Sequence, residues 1–551
     1  MDPRDVALAE RVPFLDVEEE NKELSSMSES EKNWASGSKY LHFRQFLQSI
    51  RSTAQLRPRW GPEHTQHAKT SALKFASFFI PSFVQRGSES RKELHETAYL
   101  DGLRGYACYA VFFSHYTTAY CNEVWHPYGE GGNHHFVQTY YIFQLPIIRL
   151  LFNGQAAVTI FFVLSGYVLS YKPLKLMHSR DFEKLQGSLQ SAIFRRWFRL
   201  FLPVLALWII NIFLVEFGAF SWFDAFHAEN ENMPPGIVET YLAAGDSFWG
   251  TVYNAYRDFF DFARGTLFSW TKMGILPQVD GHTWTLHVEF RSSCILFLFL
   301  NGCSKMRANL RLAFFILSSA FCLFWDEWAI ATFLAGSSIA DMDLRMRRRQ
   351  QANAQLSPEE ETFDSLPLVP FSRTISLSRL RSLFSFLGRR DQLRWSILFL
   401  ISLLILSYPA VGADKVFFYR TLSWYHPFTA WDLFFWESVG AILVVFIIGR
   451  LHAVRRVLEW PVSQYMGKTS FALYLCHGTM IKTLGHFMVI QTWNRVTGYT
   501  GWGYAMGILL PLFLVVGPAL VLVTDWFWRG VDIPSVRFAK WVENLVKDQN
   551  I

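Results

Sequence analysis

The stretch that decides the fold is residues 99–116, YLDGLRGYACYAVFFSHY. It is apolar enough for a membrane helix, yet Arg104 lies near its start and His115 in its middle. Charged and titratable groups are costly in hydrocarbon, so those that occur there usually face the interior of a helix bundle and serve a function. One face of this helix carries, at helical spacing, Arg104, Cys108, Val111 and His115. Because an α-helix rises about 1.5 Å per residue, His115 lies about 16 Å beyond Arg104 along the axis.

The whole chain has the composition of a membrane protein. Of its 551 residues, 51% are apolar and only 18% are charged, and the mean hydropathy is positive. A bilayer core of about 30 Å requires an apolar run of about 17–25 residues. Such runs predict an all-α, polytopic membrane helix bundle with about ten transmembrane helices, near residues 102–121, 150–171, 195–217, 282–302, 308–324, 326–342, 394–412, 431–448, 468–490 and 503–527.

Lysine and arginine are unevenly distributed between the loops. With the N-terminus taken as cytosolic, the later loops assigned inside hold 28 Lys+Arg in 135 residues, and those assigned outside hold 7 in 127. Positively charged loops stay on the cytosolic side, so both termini are predicted to be cytosolic. The choice between an endomembrane and the plasma membrane stays open. The excess charge lies on the face where anionic lipids and cofactors are found, and it does not indicate nucleic-acid binding.

The spans divide the chain into regions of different composition. Residues 1–98 are rich in Glu, Ser, Lys and Arg and are predicted to form a cytosolic, mostly disordered tail. The membrane domain covers 99–540, followed by a C-terminal tail at 541–551. Within it, 218–281 is predicted to be a non-cytosolic cap, with a lid over an acceptor site as the alternative, and 343–394 a cytosolic basic loop. The six cysteines have no paired spacing, so neither a disulfide framework nor a metal site is predicted.

Arg104 and His115 together offer an anion anchor and a base. The guanidinium fork of arginine binds phosphate oxygens bidentately, and a neutral imidazole accepts a proton near pH 7. The structural alternatives are an arginine that snorkels to lipid phosphates and a histidine that hydrogen-bonds across helices.

Three classes of function fit such residues: an enzyme, a transporter and a non-catalytic scaffold. In a transporter, Arg104, His115 and Glu289 would form an ion or substrate path. That alternative is disfavoured because the chain shows no inverted repeat.

Six motifs lie in order along the chain. They are LDGLRG (100–105) followed by His115, NGQAAVTIFFVLSGYVLS (153–170), FRRWFRLFLP (194–203), HTWTLHVEF (282–290), YMGKTSFALYLCHG (465–478) and VDIP (531–534). In this series the chain resembles acyltransferase family 3, integral-membrane proteins that O-acylate sugars and other hydroxylated acceptors. Four positions depart from the family pattern: Thr159, Thr285, Phe471 and Asp532.

The resemblance implies an O-acyltransferase with acyl-coenzyme A as co-substrate and no permanently bound cofactor. The acceptor would be a hydroxylated small molecule or glycan, and its identity, the acyl length and the oligomeric state stay open. The implied catalytic residues are His115, as general base, and Glu289. The implied donor-binding residues are Arg104, Arg196, Arg199 and Ser165. Further candidates are Thr285, His282 and His477.

Each of these assignments has a structural alternative. Arg196 and Arg199 could face lipid at the inner start of the third span, and Ser165 and His477 could serve only packing. His282, Thr285 and Glu289 share one face of the fourth span. Glu289 could orient the imidazole of His115 or bind an acceptor hydroxyl, or it could form a structural pair with Arg291 or another buried cation.

Overall fold

The structure is a computed structural model, and it describes residues 77–85, 94–131, 140–224, 240–268, 277–356, 377–425, 432–499 and 501–547. Two compact units divide the chain at residues 93 and 94. Of the first unit, Ser77–Gln85 are described and include the short helix Ser82–Gln85. The rest of the predicted N-terminal tail up to residue 93 lies outside the described residues.

The second unit is built from α-helices, and the described part of the chain contains no β-strand. In chain order the helices are α1 (Ala98–Thr118), α2 (Gly154–Ser179), α3 (Phe182–Glu216), α4 (Phe248–Phe268), α5 (Trp284–Gly302), α6 (Ala308–Phe324), α7 (Trp328–Leu356), α8 (Leu377–Leu406), α9 (Phe417–Ser423), α10 (Asp432–Ile448), α11 (His452–Leu458), α12 (Pro461–Met480), α13 (His486–Thr492), α14 (Gly501–Pro511), α15 (Gly517–Phe527) and α16 (Ile533–Val546). The predicted all-α fold is confirmed.

In the described part of the chain, four π-helical turns follow late helices, and three of them join consecutive helices without a loop. They are Ile481–Gly485, Trp493–Thr497, Leu512–Val516 and Trp528–Asp532. The first joins α12 to α13, and the last two join α14, α15 and α16 into one apolar helical stretch, Gly501–Val546. A π-turn shifts the register of the helix, so side chains beyond it face directions that an uninterrupted 3.6-residue period does not give.

The helices have the lengths and surfaces of a membrane protein, but the predicted number of spans stays a prediction. Three helical stretches are long and apolar enough to cross a bilayer: Gly154–Ser179, Phe182–Glu216 and Gly501–Val546. A fourth results if Phe434–Ile448 and His452–Leu458, which meet at a bend of 96°, are one span. Helix α6 is shorter but presents apolar side chains outward, since Leu317 is 68% exposed. Outward-facing leucine and phenylalanine at this density suit a lipid environment.

The core is formed where helices from distant parts of the sequence pack together. α1 packs along α12, and α2 packs against α7, which also contacts α6. The α1–α12 contact is close because glycines lie at the crossing. A Cβ added to Gly105 would lie 2.7 Å from the backbone nitrogen of Gly467, closer than any real side chain allows. This crossing brings the first and the late motifs of the sequence together.

The predicted cap and loops are partly described. α4, within the predicted cap, packs its aromatic face on α3, where Phe262 is fully buried 5.9 Å from the ring of Trp208. Residues 225–239 and 269–276 of the cap lie outside the described residues, as do 357–376 of the cytosolic loop. α7 and α8 extend into that loop from either side, and α16 continues beyond residue 541 into the predicted C-terminal tail.

Candidate active site

The face of α1 that carries Arg104 and His115 is turned toward α12. The guanidinium of Arg104 donates to the carbonyl oxygen of Gly467 at 2.6 Å and to the hydroxyl of Ser470 at 2.9 Å. It also lies 3.4 Å from the carboxylate of Asp101, one turn earlier on α1. Arg104 is buried and therefore anchors α1 to α12 rather than extending to lipid headgroups.

Three imidazoles from separate helical elements meet beyond this crossing. The ring of His115 lies 3.8 Å, centroid to centroid, from that of His282 and 5.3 Å from that of His477, and the last two are 4.4 Å apart. His282 and His477 are buried, whereas His115 is half-buried. We call these three residues the histidine cluster. His282 and His477 were secondary candidates in the sequence, and the structure joins both to His115.

Each buried histidine of the cluster has a hydrogen-bond partner at Nδ1. Nδ1 of His282 lies 2.6 Å from the carboxylate of Asp280, and Nδ1 of His477 lies 2.6 Å from the carbonyl oxygen of Tyr474. Both partner atoms accept hydrogen bonds, so we assign the proton of each ring to Nδ1 and its lone pair to Nε2. These bonds fix the tautomers and the orientations of both rings.

Asp280 and Lys482 form a charged pair behind His282 that the sequence did not reveal. Nζ of Lys482 lies 3.4 Å from the carboxylate of Asp280 and donates to the carbonyl oxygen of Thr240 at 2.8 Å. Burial alone would raise the pKa of Asp280, but Lys482 and His282 hold the pKa of that carboxyl below its usual value. Asp280 is therefore a carboxylate throughout the physiological pH range.

Small and hydroxylated residues set the distance between α5 and α12 at the cluster. A Cβ added to Gly478 would lie 2.7 Å from Nδ1 of His282, so only glycine lets that ring approach α12 so closely. The hydroxyl of Tyr474 contacts that of Thr285 at 2.6 Å and donates to the carbonyl oxygen of His282. Thr285, a further candidate from the sequence, thus holds the start of α5 against α12.

Glu289 lies about one helical turn beyond Thr285 on α5 and pairs with an arginine. Its carboxylate accepts from Nη2 of Arg196 at 2.6 Å and from the hydroxyl of Ser165 at 3.3 Å. Among the alternatives left open by the sequence, the structure gives Glu289 a cation from α3, whereas Arg291 pairs with Glu327 at 2.9 Å. His115 itself has ring contacts with His282 and His477.

The remaining predicted arginine, Arg199, joins the same charged region. Asp532, at the end of the last π-turn, interacts electrostatically with Arg199 and Arg104, and Glu289 does so as well. We call Arg104, Arg196, Arg199, Glu289 and Asp532 the arginine cluster. The structure therefore separates the predicted residues into two groups, with His115 in one and, about 16 Å away along α1, Arg104 in the other.

Comparison with known proteins identifies the family of the chain. A family model described as an acyltransferase domain matches residues 97–528, which contain the histidine cluster and every member of the arginine cluster except Asp532. The chain is therefore a membrane acyltransferase, of the kind that transfers groups other than aminoacyl groups. It belongs to acyltransferase family 3, and the resemblance seen in its motifs is confirmed. This membership favours the enzyme over the transporter.

Three fungal proteins illustrate the relationship. The O-acetyltransferase PaAT-1 of Phomopsis amygdali is 32% identical over 477 residues, covering 84% of this chain and 87% of that protein. The acyltransferase clz18 of Cochliobolus lunatus is 24% identical and covers 83% of this chain and 97% of its own length. The acyltransferase R4 of a Phoma species is 25% identical, with 82% and 96% covered. No solved structure matches the chain.

Proposed function

We propose that this acyltransferase moves an acetyl or other short acyl group from acyl-coenzyme A to a hydroxyl group of a carbohydrate, lipid or secondary metabolite, with His115 as the general base. The observation that carries the proposal is the histidine cluster, in which His115 is the half-buried member and two oriented imidazoles lie behind it. A base must be accessible to its substrate, and His115 meets that requirement. The relative named an O-acetyltransferase supports acetyl as the group and oxygen as the acceptor atom.

The chemistry needs one proton to move twice. His115 removes the proton of the acceptor hydroxyl as its oxygen attacks the thioester carbonyl. The tetrahedral intermediate then collapses, the carbon–sulfur bond breaks, and the coenzyme leaves as a thiolate that takes the proton from the imidazolium. The buried carboxylate of Asp280, which is hydrogen-bonded to His282, stabilises the positive charge that His115 carries while it is protonated. Direct transfer requires no covalent acyl-enzyme.

The arginine cluster is our proposed binding region for the phosphates of the donor. Arg104, Arg196 and Arg199 come from two helices, and Ser165 adds a hydroxyl from a third. Arg196 and Arg104 already bind carboxylates or carbonyls, so a phosphate would have to compete with those partners. Arg199, which interacts electrostatically with Asp532 and Glu289, is half-buried whereas Arg104 and Arg196 are buried, so it is the most accessible of the three and the residue to test first.

Replacing Arg199 with methionine should raise the KM for acetyl-coenzyme A about tenfold or more, because a hydrogen bond to a charged group contributes about 1.5–3 kcal/mol. The kcat should change far less, since the proposal assigns Arg199 to donor binding and not to proton transfer. Steady-state kinetics with the coenzyme as the varied substrate measures both. Arg394→Met, at an exposed arginine of α8 paired with Asp391, is the matched control. An unchanged KM in the Arg199 variant would remove that residue from the donor site.

We also propose a multi-pass topology with both termini in the cytosol. Asparagine-linked glycosylation acceptor sequences inserted singly at residue 230 and at residue 365 test it, because only lumenal or extracellular sites are glycosylated. We expect modification of the insertion within 218–281 and none within 343–394. The reverse pattern, measured as a mobility shift sensitive to deglycosylation, would contradict the orientation derived from loop charge.

The direct test of function uses the purified full-length protein in detergent with acetyl-coenzyme A labelled in the acetyl group and a panel of hydroxylated acceptors. The proposal predicts release of free coenzyme in step with label bound to an acceptor as an ester that alkali cleaves. Failure of the protein to bind acyl-coenzyme A at all would contradict it.

A further inference from the structure

We propose that His115, His282 and His477 form a binding site for a divalent transition-metal ion, zinc above all, and that the bound ion inhibits acyl transfer. The binding site rests on geometry alone, whereas the inhibition rests on the proposed role of His115 as base.

The three side chains already lie close to the separation that one ion requires. Each offers a ring nitrogen, and these three atoms lie within 4.8 Å of one another. Nitrogens bound to one tetrahedral zinc ion, at about 2.0–2.1 Å from the metal, are about 3.4 Å apart. Movements of about 1 Å by each ring nitrogen, within the reach of small side-chain rotations, therefore close the site.

The surroundings of the rings match those of metal-binding histidines. Such histidines usually donate from the second ring nitrogen to a carboxylate or a backbone carbonyl, which fixes the tautomer and makes the ligand atom more basic. His282 has the carboxylate of Asp280 at Nδ1, and His477 has the carbonyl oxygen of Tyr474. In both rings, the nitrogen that is able to coordinate a metal ion is therefore Nε2. Asp280 adds a negative charge next to the site, which favours a cation.

The donor set selects the class of ion. Imidazole nitrogens suit zinc, copper, nickel and cobalt, whereas magnesium and calcium require oxygen ligands. Three protein ligands leave one position of a zinc tetrahedron for water. The described cysteines are not part of the group, so a thiolate-rich structural site is not formed here.

Metal binding and catalysis would use the same lone pair. A neutral imidazole can accept a proton or coordinate an ion, but its basic nitrogen cannot do both. If His115 is the base, the metal-free form is the active one and zinc is an inhibitor that competes with the proton. Removal of the ion by a chelator then restores activity.

Binding is tested with full-length protein that carries no polyhistidine tag, treated with chelator and titrated with zinc chloride in a calorimeter. We expect one strong site per chain, and His477→Ala should weaken it at least tenfold. His477→Gln, which keeps more of the side-chain volume, guards against misfolding of the alanine variant, and a thermal melt checks both. His452→Ala, at an exposed histidine of α11, is the matched control and should bind zinc normally. Equal affinities in wild type and both folded His477 variants would overturn the site.

Inhibition is tested by acetyl transfer at increasing zinc concentration. We expect the wild type to lose activity with the same concentration dependence as binding and to regain it on addition of chelator. If chelation abolishes transfer and zinc restores it, the ion is a cofactor, and both the inhibition and the role of His115 as base are wrong. If zinc binds but neither the metal-free nor the zinc-loaded protein transfers an acyl group, the metal site stands and the proposed function fails.

Discussion

Replacing His115 with alanine should lower the rate of acyl transfer by about 10²–10⁴-fold, the usual contribution of a general base. The binding of acetyl-coenzyme A should survive, because Arg104 lies about 16 Å from His115 along α1. The pair of results separates chemistry from donor binding. Single-turnover transfer and equilibrium binding of the labelled coenzyme measure the two quantities on the same preparation.

Two further variants make this result interpretable. His115→Gln keeps a polar side chain of similar size and should be nearly as inactive, since an amide is not a base at neutral pH. His452→Ala removes an exposed histidine and should keep full activity. A folded His115→Ala protein that loses less than about tenfold would exclude His115 from the proton transfer.

Replacing Asp280 with alanine should destabilise the protein by about 3–5 kcal/mol, because it leaves the charge of Lys482 buried without its carboxylate. Lys482 is 2% exposed, and its Nζ lies 3.4 Å from that carboxylate. The free energy of unfolding, measured by denaturant titration in detergent, reports the loss. Asp414→Ala, at an exposed aspartate, is the matched control and should change stability by less than about 0.5 kcal/mol.

A double variant tests whether the loss of the Asp280–Lys482 ion pair causes the loss of stability. Lys482→Met in the Asp280→Ala background removes the stranded charge and should restore part of the lost stability, so the two changes should be strongly non-additive. Additive losses would mean that Asp280 acts through its hydrogen bond to His282 or through its backbone contacts, not through Lys482. Stability within about 1 kcal/mol of wild type in the single variant would contradict the argument outright.

The sequence predicted which residues belong to the site better than it predicted which of those residues are in contact with one another. The face shared by Arg104 and His115 followed from helical spacing, and α1 presents that face to α12. Which residues would meet His115 was not predictable, because His282 and His477 approach it from segments far apart in the chain. Spacing within a helix gives the direction of a side chain but not the identity of its neighbours in the bundle.

Asp280 and Lys482 show two reasons why residues of the site were missed. Asp280 is an extended residue just before the 3-10 turn Gly281–Thr283, where no helical period indicates the direction of its side chain, although its position two residues before His282 was a local signal. Lys482 lies in the π-turn Ile481–Gly485, which displaces it from the face that α-helical spacing assigns. Helical spacing predicted a face for Glu289 on the fourth span, but it could not give the partner of Glu289, Arg196, which belongs to another helix.

The number of membrane spans is difficult to derive from hydropathy because buried polar residues lower the hydropathy of a helix. Helix α1 contains Asp101, Arg104 and His115, which lower its hydropathy although all three are at least half-buried in the bundle. A buried polar side chain is shielded from lipid by its neighbours, and composition alone does not record that shielding. Length and apolarity therefore identify three helical stretches clearly, and the others depend on packing.

The most direct test of the account is whether the acyl group ever becomes attached to the protein. Rapid mixing of the enzyme with labelled acetyl-coenzyme A, followed by acid quenching, measures free coenzyme and protein-bound label in the first turnover. General-base catalysis by His115 predicts coenzyme release only when a hydroxyl acceptor is present, with no label on the chain. A burst of coenzyme release without acceptor, matched by label that is lost in His115→Ala, would show an acyl-histidine and contradict the mechanism.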